Sequence, residues 1–277
     1  MLLGISSFSY GWSVGVPLQM PERPFSAVDL VKRTHDFGVS CLQIGDNLPL
    51  HTLVDSQRRE LKSLLTTYDI RLEIGARGLT EKHLREYIEV AVYFNSPLLR
   101  FVTDIEDYEP TTSSIIAILR GALSDLRDSG ITLGIENHDR FKVAELSAVM
   151  NTVGDPTVGI CLDTVNSLGA GEDLERVIGE LAPFTVNLHI KDFTITREPH
   201  KMGFFVSGAP AGQGMLDIPQ LLHRLSTYGR CESAILEQWV PPDNTLNGTI
   251  NREEQWASES IQYLSQLPAF ATRSEPL

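Results

Sequence analysis

The stretch ITLGIENHDRF, residues 131–141, decides the fold. Its first half has the apolar, β-branched content of a buried strand. Glu136, Asn137, His138, Asp139 and Arg140 then follow without a break. A carboxylate at the end of a buried strand is costly unless something positive compensates it. Three later stretches change character in the same way. VGICLD ends at Asp163, TVNLHIKD carries His189 and then Lys191 and Asp192, and SAILE ends at Glu237. Polar groups delivered by successive strand ends to one rim are the pattern of a closed parallel barrel, whose functional groups project from the C-terminal ends of its strands.

The rest of the chain has the matching rhythm. Strands are expected at about 2–8, 39–45, 70–76, 97–103, 131–136, 157–163, 184–190 and 232–237. Helices are expected between them, at about 26–37, 56–68, 80–94, 111–130, 142–151, 172–180 and 216–227, with a last one at about 252–265. Ser26 and Asp29 form a capping-box pattern at the first helix, and Gly38 stops it. Eight strand–helix pairs in 277 residues predict an α/β fold, a single (β/α)8 TIM barrel spanning 1–277 as one domain. The doubly wound alternative would place a GxGxxG fingerprint after the first strand, and FSYGWSVG lacks it.

Composition is that of an ordinary soluble globular protein, with no apolar run near the ~20 residues that span a membrane. The N-terminus MLLGISSFSYGW lacks a basic region and a cleavage site, so it reads as a first strand rather than a signal peptide. Cys41, Cys161 and Cys231 are widely spaced without a CxxC pair, which fits a reduced, cytoplasmic setting. The net charge of −13 argues against nucleic acid or an anionic membrane as partner.

Glu136, Asp163, His189 and Glu237 come from four consecutive strands. Singly, a strand-end carboxylate is commonly a helix cap or half of a structural ion pair. Three carboxylates at one rim repel each other unless a cation sits among them. Oxygen-rich ligands with one imidazole suit a divalent ion: Mn²⁺ first, with Mg²⁺, Co²⁺ and Zn²⁺ as alternatives.

The order Glu, Asp, His, Glu, carried by GIENHDRF, GICLDTVNSLGAGED, VNLHIKDF, GAPAGQGMLDIPQLL and AILEQW, resembles the xylose isomerase-like TIM barrels, the sugar phosphate isomerase/epimerase superfamily. The resemblance implies that the four residues bind one divalent ion. It implies further that Glu136 and Glu237 are the acid/base pair of a sugar, keto-sugar or cyclitol isomerase or epimerase, and that relatives form homo-oligomers through outer helices. Ketose-epimerase relatives often carry a histidine three residues after the strand-six Asp, where this chain has Asn166. The chemistry is sound on its own terms: deprotonation beside a carbonyl gives an enediolate whose oxygen needs fixed positive charge, and two carboxylates on opposite faces can exchange the proton with inversion.

Further substrate-contact candidates are His138, Asn166, Lys191, Arg197, Trp239, Tyr10 and Trp12. Lys191 is equally a group beside a metal-binding carboxylate or a rim charge, and aromatic residues such as Tyr10 are commonly packing. His35, His83 and His223 sit on predicted helices as surface groups. Asp46 and Glu73 near the ends of strands two and three are polar-contact candidates. TREPHKMGFFVSGAPAGQG is too long for an ordinary βα loop and reads as a lid or substrate wall.

A lyase or dehydratase is the runner-up, because an enediolate can also expel a substituent, with His138 or His200 as acid. A DNA-repair endonuclease of this fold would need more histidines and a less acidic chain. A sugar-binding barrel without turnover would be expected to have lost a carboxylate.

Overall fold

The computed structural model describes residues 1–270. The tail 271–277, included in the expected domain, lies outside the described residues. Ten strands and ten helices follow in the order β1 (Leu2–Ser6), α1 (Gly11–Val14), α2 (Ala27–Asp36), β2 (Cys41–Ile44), α3 (Asp55–Thr67), β3 (Arg71–Arg77), α4 (Glu81–Phe94), β4 (Leu98–Val102), α5 (Thr112–Ser129), β5 (Thr132–Glu136), α6 (Val143–Val153), β6 (Val158–Asp163), α7 (Asn166–Gly169), α8 (Leu174–Leu181), β7 (Thr185–Ile190), β8 (Phe193–Arg197), β9 (Phe204–Gly208), α9 (Ile218–Ser226), β10 (Ser233–Leu236) and α10 (Leu246–Leu264). Strands β1 to β7 and β10 pair in parallel and close into a barrel in sequence order, β10 returning to β1. This is the expected (β/α)8 architecture. No helix among the described residues is long and apolar enough to cross a membrane.

Local chemistry sets the boundaries. Ser26 and Asp29 cap α2 reciprocally, and Gly38 follows that helix at φ 66°, a left-handed turn that favours glycine. β1 stops at Ser6 rather than near residue 8 because the Ser6 hydroxyl accepts the Phe8 N–H and turns the chain. α10 begins at Leu246 rather than near 252, since Thr245 caps it through the Gly248 N–H. The long excursion after β7 is not irregular: β8 and β9 form an antiparallel hairpin on the barrel rim. The run was polar enough to read as loop, and β8 and β9 indeed bury little of their surface.

The greasy core lies between the barrel and its helices, with Leu30, Leu61, Leu84, Leu119, Leu146 and Leu222 turned toward the strands. The barrel's inside is different. TIM barrels fill theirs mainly with branched apolar side chains, but here Gln43, Glu73, Arg100, Asn187 and Ser233 are buried within it. Gly75 makes room for this, since a Cβ there would lie 3.4 Å from Arg100 Cδ and 3.0 Å from Gly45 Cα. Of the histidines expected at the surface, His35 and His223 are exposed. His83 instead is half-buried and stacked on Tyr87 at 4.9 Å.

Asp192 fastens the hairpin to the rim. Its carboxylate accepts the N–H groups of Phe193, Gly212, Gly214 and Leu216 at 2.8–3.0 Å. A Cβ on Gly214 would fall 2.1 Å from Asp192 Oδ1. Gly214→Ala is therefore expected to destabilise the protein by about 1–3 kcal/mol, the usual range for forced overpacking. Denaturant unfolding measures it, and an unchanged midpoint would mean that this clasp is not tight.

Candidate functional site

Parallel register places the rim groups. Asp163 lies beside His189 across β6 and β7, and Glu136 ends β5 next to Cys161. Glu237 follows β10 directly. All four are at least 97% buried, and their polar atoms converge. One oxygen each of Asp163 and Glu237 and one nitrogen of His189 lie within 4.8 Å of one another. His189 Nδ1 is 3.4 Å from Glu237 Oε1, 3.7 Å from Glu136 Oε2 and 3.9 Å from Asp163 Oδ2.

Hydrogen bonds orient each of these groups. His189 Nε2 lies 2.7 Å from Gln43 Oε1. Gln43 Nε2 donates to Glu73 and Asn187, so its oxygen is left to accept and the imidazole carries its proton on Nε2. The Nδ1 lone pair then points free toward the carboxylates, and Nδ1 has no hydrogen-bond partner. Asp163 Oδ1 accepts the N–H groups of Val165 and Asn166, which turns Oδ2 inward. Ser6 donates to Glu237 Oε1 at 3.0 Å, and Asn166 Nδ2 to Glu136 Oε1 at 2.7 Å. Glu73 sits deeper, bonded by Ser233, Gln43 and Asn187, and burial pushes its carboxyl up.

A divalent ion would not be the sole source of compensating charge at this cluster. The chain brings two cations of its own. Arg100 of β4 pairs through Nε with Glu136 Oε2 and through Nη1 with Asp46 Oδ1, the latter at 2.9 Å. Lys191 Nζ lies 2.8 Å from Asp163 Oδ2 and 3.0 Å from Glu237 Oε2. Burial works against both charges, but the surrounding carboxylates outweigh it and raise both pKa values, so both stay protonated. Burial likewise pushes the Glu237 carboxyl up, yet the positive charges of Lys191 and Arg100 outweigh it and hold it below the usual carboxylate range.

A divalent ion still fits this donor set. Buried His189 Nδ1, Glu136 Oε2 and Asp163 Oδ2 have no hydrogen bond of proper geometry, and the two oxygens have only their ion pairs. Three carboxylates against two cations leave one negative charge. The Cys161 thiol, whose pKa burial pushes up, also lies near His189, and with Glu136 and His189 it makes a second group of donor atoms within 4.8 Å of one another.

The cluster opens into a pocket of about 520 Å³, with Lys191 and Glu237 among the groups that line it. Phe8, Trp12, Phe205 and Trp239 give it an apolar lining. Trp12 and Trp239 are thus at the pocket, as the sequence suggested. Tyr10 is not: it is fully buried, packs on Phe25 and donates to Glu254. Arg197 is not either, because its guanidinium lies over Phe204 and donates to the Lys201 carbonyl on the exposed hairpin. His138 is half-buried on the rim beside Arg77 and Asp139. His200 is exposed at the hairpin tip.

Residues 31–267 match the family described as the xylose isomerase-like TIM barrel. The chain belongs to this family. It is 30% identical over 274 residues to a 3-oxo-isoapionate decarboxylase of Pectobacterium atrosepticum, covering 99% of this chain and 98% of that one. Among solved structures it resembles a xylose isomerase-like TIM barrel protein from Mycobacterium smegmatis in complex with magnesium, with TM-score 0.70, 16% identity and 98% of each chain covered. It also resembles a D-psicose 3-epimerase determined in the presence of D-fructose, with TM-score 0.69, 15% identity and 96% and 97% covered. At such identities the structural likeness speaks for the fold.

Sequence reasoning missed Arg100, Gln43, Asn187 and Ser6. One signal was available: Arg100 is the lone charge in the apolar run PLLRFVT. Because Lys191 uses the oxygens that a divalent ion would take, Lys191→Met is expected to tighten Mn²⁺ binding on the order of tenfold, the size of one ordinary charge–charge term. Calorimetric titration of metal-stripped protein checks this, and weaker binding would show that Lys191 organises the site rather than competing for it.

Proposed function

We propose that this chain is a divalent-metal-dependent enzyme that forms an enediolate from a keto-sugar acid, releasing CO₂ from a 3-oxo acid. The observation that carries the reading is Lys191, a fixed ammonium and the one cation among the residues that line a pocket whose other charged groups are Glu237 and Glu253. A neutral ketose has no need of such a charge. An anionic sugar acid entering an acidic mouth of a chain with net charge −13 does. The full-length similarity to a decarboxylase points the same way.

In this reading Glu136, Asp163, His189 and Glu237 would hold the ion, Mn²⁺ or Mg²⁺ suiting the oxygen-rich set. When bound, the ion supplies Lewis-acid stabilisation of the oxygen on which negative charge builds. The chain does the rest. Arg100 and Asn166 fix Glu136, and Ser6 and Lys191 fix Glu237. As the bond to the carboxylate breaks, its electron pair moves onto the neighbouring carbonyl and CO₂ leaves. Lys191, protonated at any working pH, gives a proton to the carbon that remains and regains one from water. The aromatic lining, Trp12 and Trp239 included, faces the carbon skeleton and keeps bulk water from the enediolate.

A second reading is ketose epimerisation, in which Glu136 and Glu237 are the acid/base pair. It is favoured by the way both glutamates flank the same imidazole nitrogen. Both are ion-paired within the cluster, as Lys191 is, so the product formed and not the pairing separates the two readings.

Incubation in D₂O with 3-oxo-isoapionate and with a panel of ketoses, with Mn²⁺ or EDTA, separates the two. The proposal expects metal-dependent CO₂ release, one solvent deuteron in the product, and a loss of about 10²–10⁴-fold in Lys191→Met, the usual worth of a general acid. Deuterium exchange into ketoses without CO₂, lost in Glu237→Gln, would replace it with epimerisation.

A further inference from the structure

The mechanism above leaves one buried carboxylate at the pocket unused. Glu253 of α10 is 2% exposed and is among the residues lining the pocket. One of its oxygens accepts the Trp12 N–H at 2.8 Å, and the other accepts the Ser13 N–H at 2.9 Å and the Ser13 hydroxyl at 2.6 Å. All three partners are donors and all lie in α1, a single helical turn whose own N–H groups have no carbonyl to bind within so short an element. Among the described residues Glu253 makes no ion pair. Its neighbour Glu254 takes up the nearby Arg33 and the Tyr10 hydroxyl.

We infer that Glu253 is a positioning residue that holds the Trp12 wall of the substrate pocket in place. This rests on the reading of that pocket as the substrate site. Two further contacts close the frame. Trp12 Nε1 donates to the Val240 carbonyl at 2.9 Å, so the indole is fixed at its ring as well as at its backbone. Gln238 Nε2 donates to the Glu253 carbonyl at 2.8 Å and to the Ser9 carbonyl at 2.9 Å, linking α10, the turn before α1 and the segment that carries Glu237. Glu253 therefore holds the indole wall through its carboxylate and the segment that carries Glu237 through its backbone carbonyl.

Only an acceptor without protons of its own meets three donors at once. An amide of the same shape offers one acceptor oxygen and turns its N–H₂ toward other donors. Burial pushes the Glu253 carboxyl up to about 7 in spite of these hydrogen bonds. Ionisation at this place therefore works against overall stability. The folded value lies above the ordinary 4.5, so the folded protein takes up a proton more readily than the unfolded chain, and stability falls as pH rises from about 4.5 to 7. A carboxylate held at that cost fits a positional role better than a structural one.

The test compares wild type with Glu253→Gln at pH 8 by amide hydrogen exchange, which needs neither metal nor substrate. The inference expects exchange at Trp12 and Ser13 to quicken by about tenfold or more, as when charge-assisted hydrogen bonds to backbone are lost. The barrel strands and α10 should exchange as before. Trp12 emission should shift to the red, with a Trp12→Phe control to identify it. With any substrate that the wild type turns over, KM should rise while kcat changes by less than about twofold. Unchanged exchange at both amides, or an increase spread evenly over barrel and helices, overturns the inference. If Glu253→Gln does not fold, Ser13→Ala removes one of the three contacts and decides by the same exchange measurement at Trp12. A wild type that turns over none of the substrates tried counts against the proposed function, and the exchange result still decides the role of Glu253.

Discussion

Everything at the mouth of this barrel depends on how three buried carboxylates coexist. Glu136, Asp163 and Glu237 are packed around one imidazole with almost no access to water. Their mutual repulsion is met from two sides, by Arg100 reaching in from β4 and by Lys191 from just beyond β7. Neither cation is interchangeable. Arg100 bridges Glu136 and Asp46 with separate nitrogens of a rigid fork, whereas Lys191 is a compact charge between two oxygens. The polar inside of the barrel follows from this. Arg100 needs a path, provided by Gly75, and the imidazole needs a fixed tautomer, provided by Gln43 and the Glu73–Asn187–Ser233 layer beneath it. The residual negative charge and the free His189 nitrogen then make the site receptive to a metal ion.

The architecture was legible because alternation of β-branched and helical runs is a strong, redundant signal. Capping at Ser26 and the stop at Gly38 were readable for the same reason: both are local. The four rim groups were legible from strand ends, since a charge that closes an apolar run is costly to bury without a partner waiting for it. Arg100 was hidden because both faces of a barrel strand are buried, so no alternation tells which side chains point inward. Its meaning comes only with Glu136 and Asp46, far away in sequence. Tyr10 and Arg197 show the opposite error. Each stood at a plausible place after a strand, yet β1 ends two residues before the expected boundary and Tyr10 packs against Phe25, while the hairpin that follows β7 carries Arg197 outward. The hairpin escaped notice because β8 and β9 are held by each other, by backbone pairing that leaves little mark on composition.

Asp192 has a consequence for how this protein can change. Its four partners are all backbone N–H groups, so the clasp depends on chain path and on the bare backbone at Gly214, and not on contacts from other side chains. Phe205, Val206 and Ser207, which border the pocket, lie on the far strand of a hairpin whose attachment does not involve their side chains. Mutation can therefore explore that wall without loosening its hinge or touching the charged cluster. A lineage carrying this clasp can reshape the pocket wall by substitution at a few exposed positions, while the charged cluster is inherited intact.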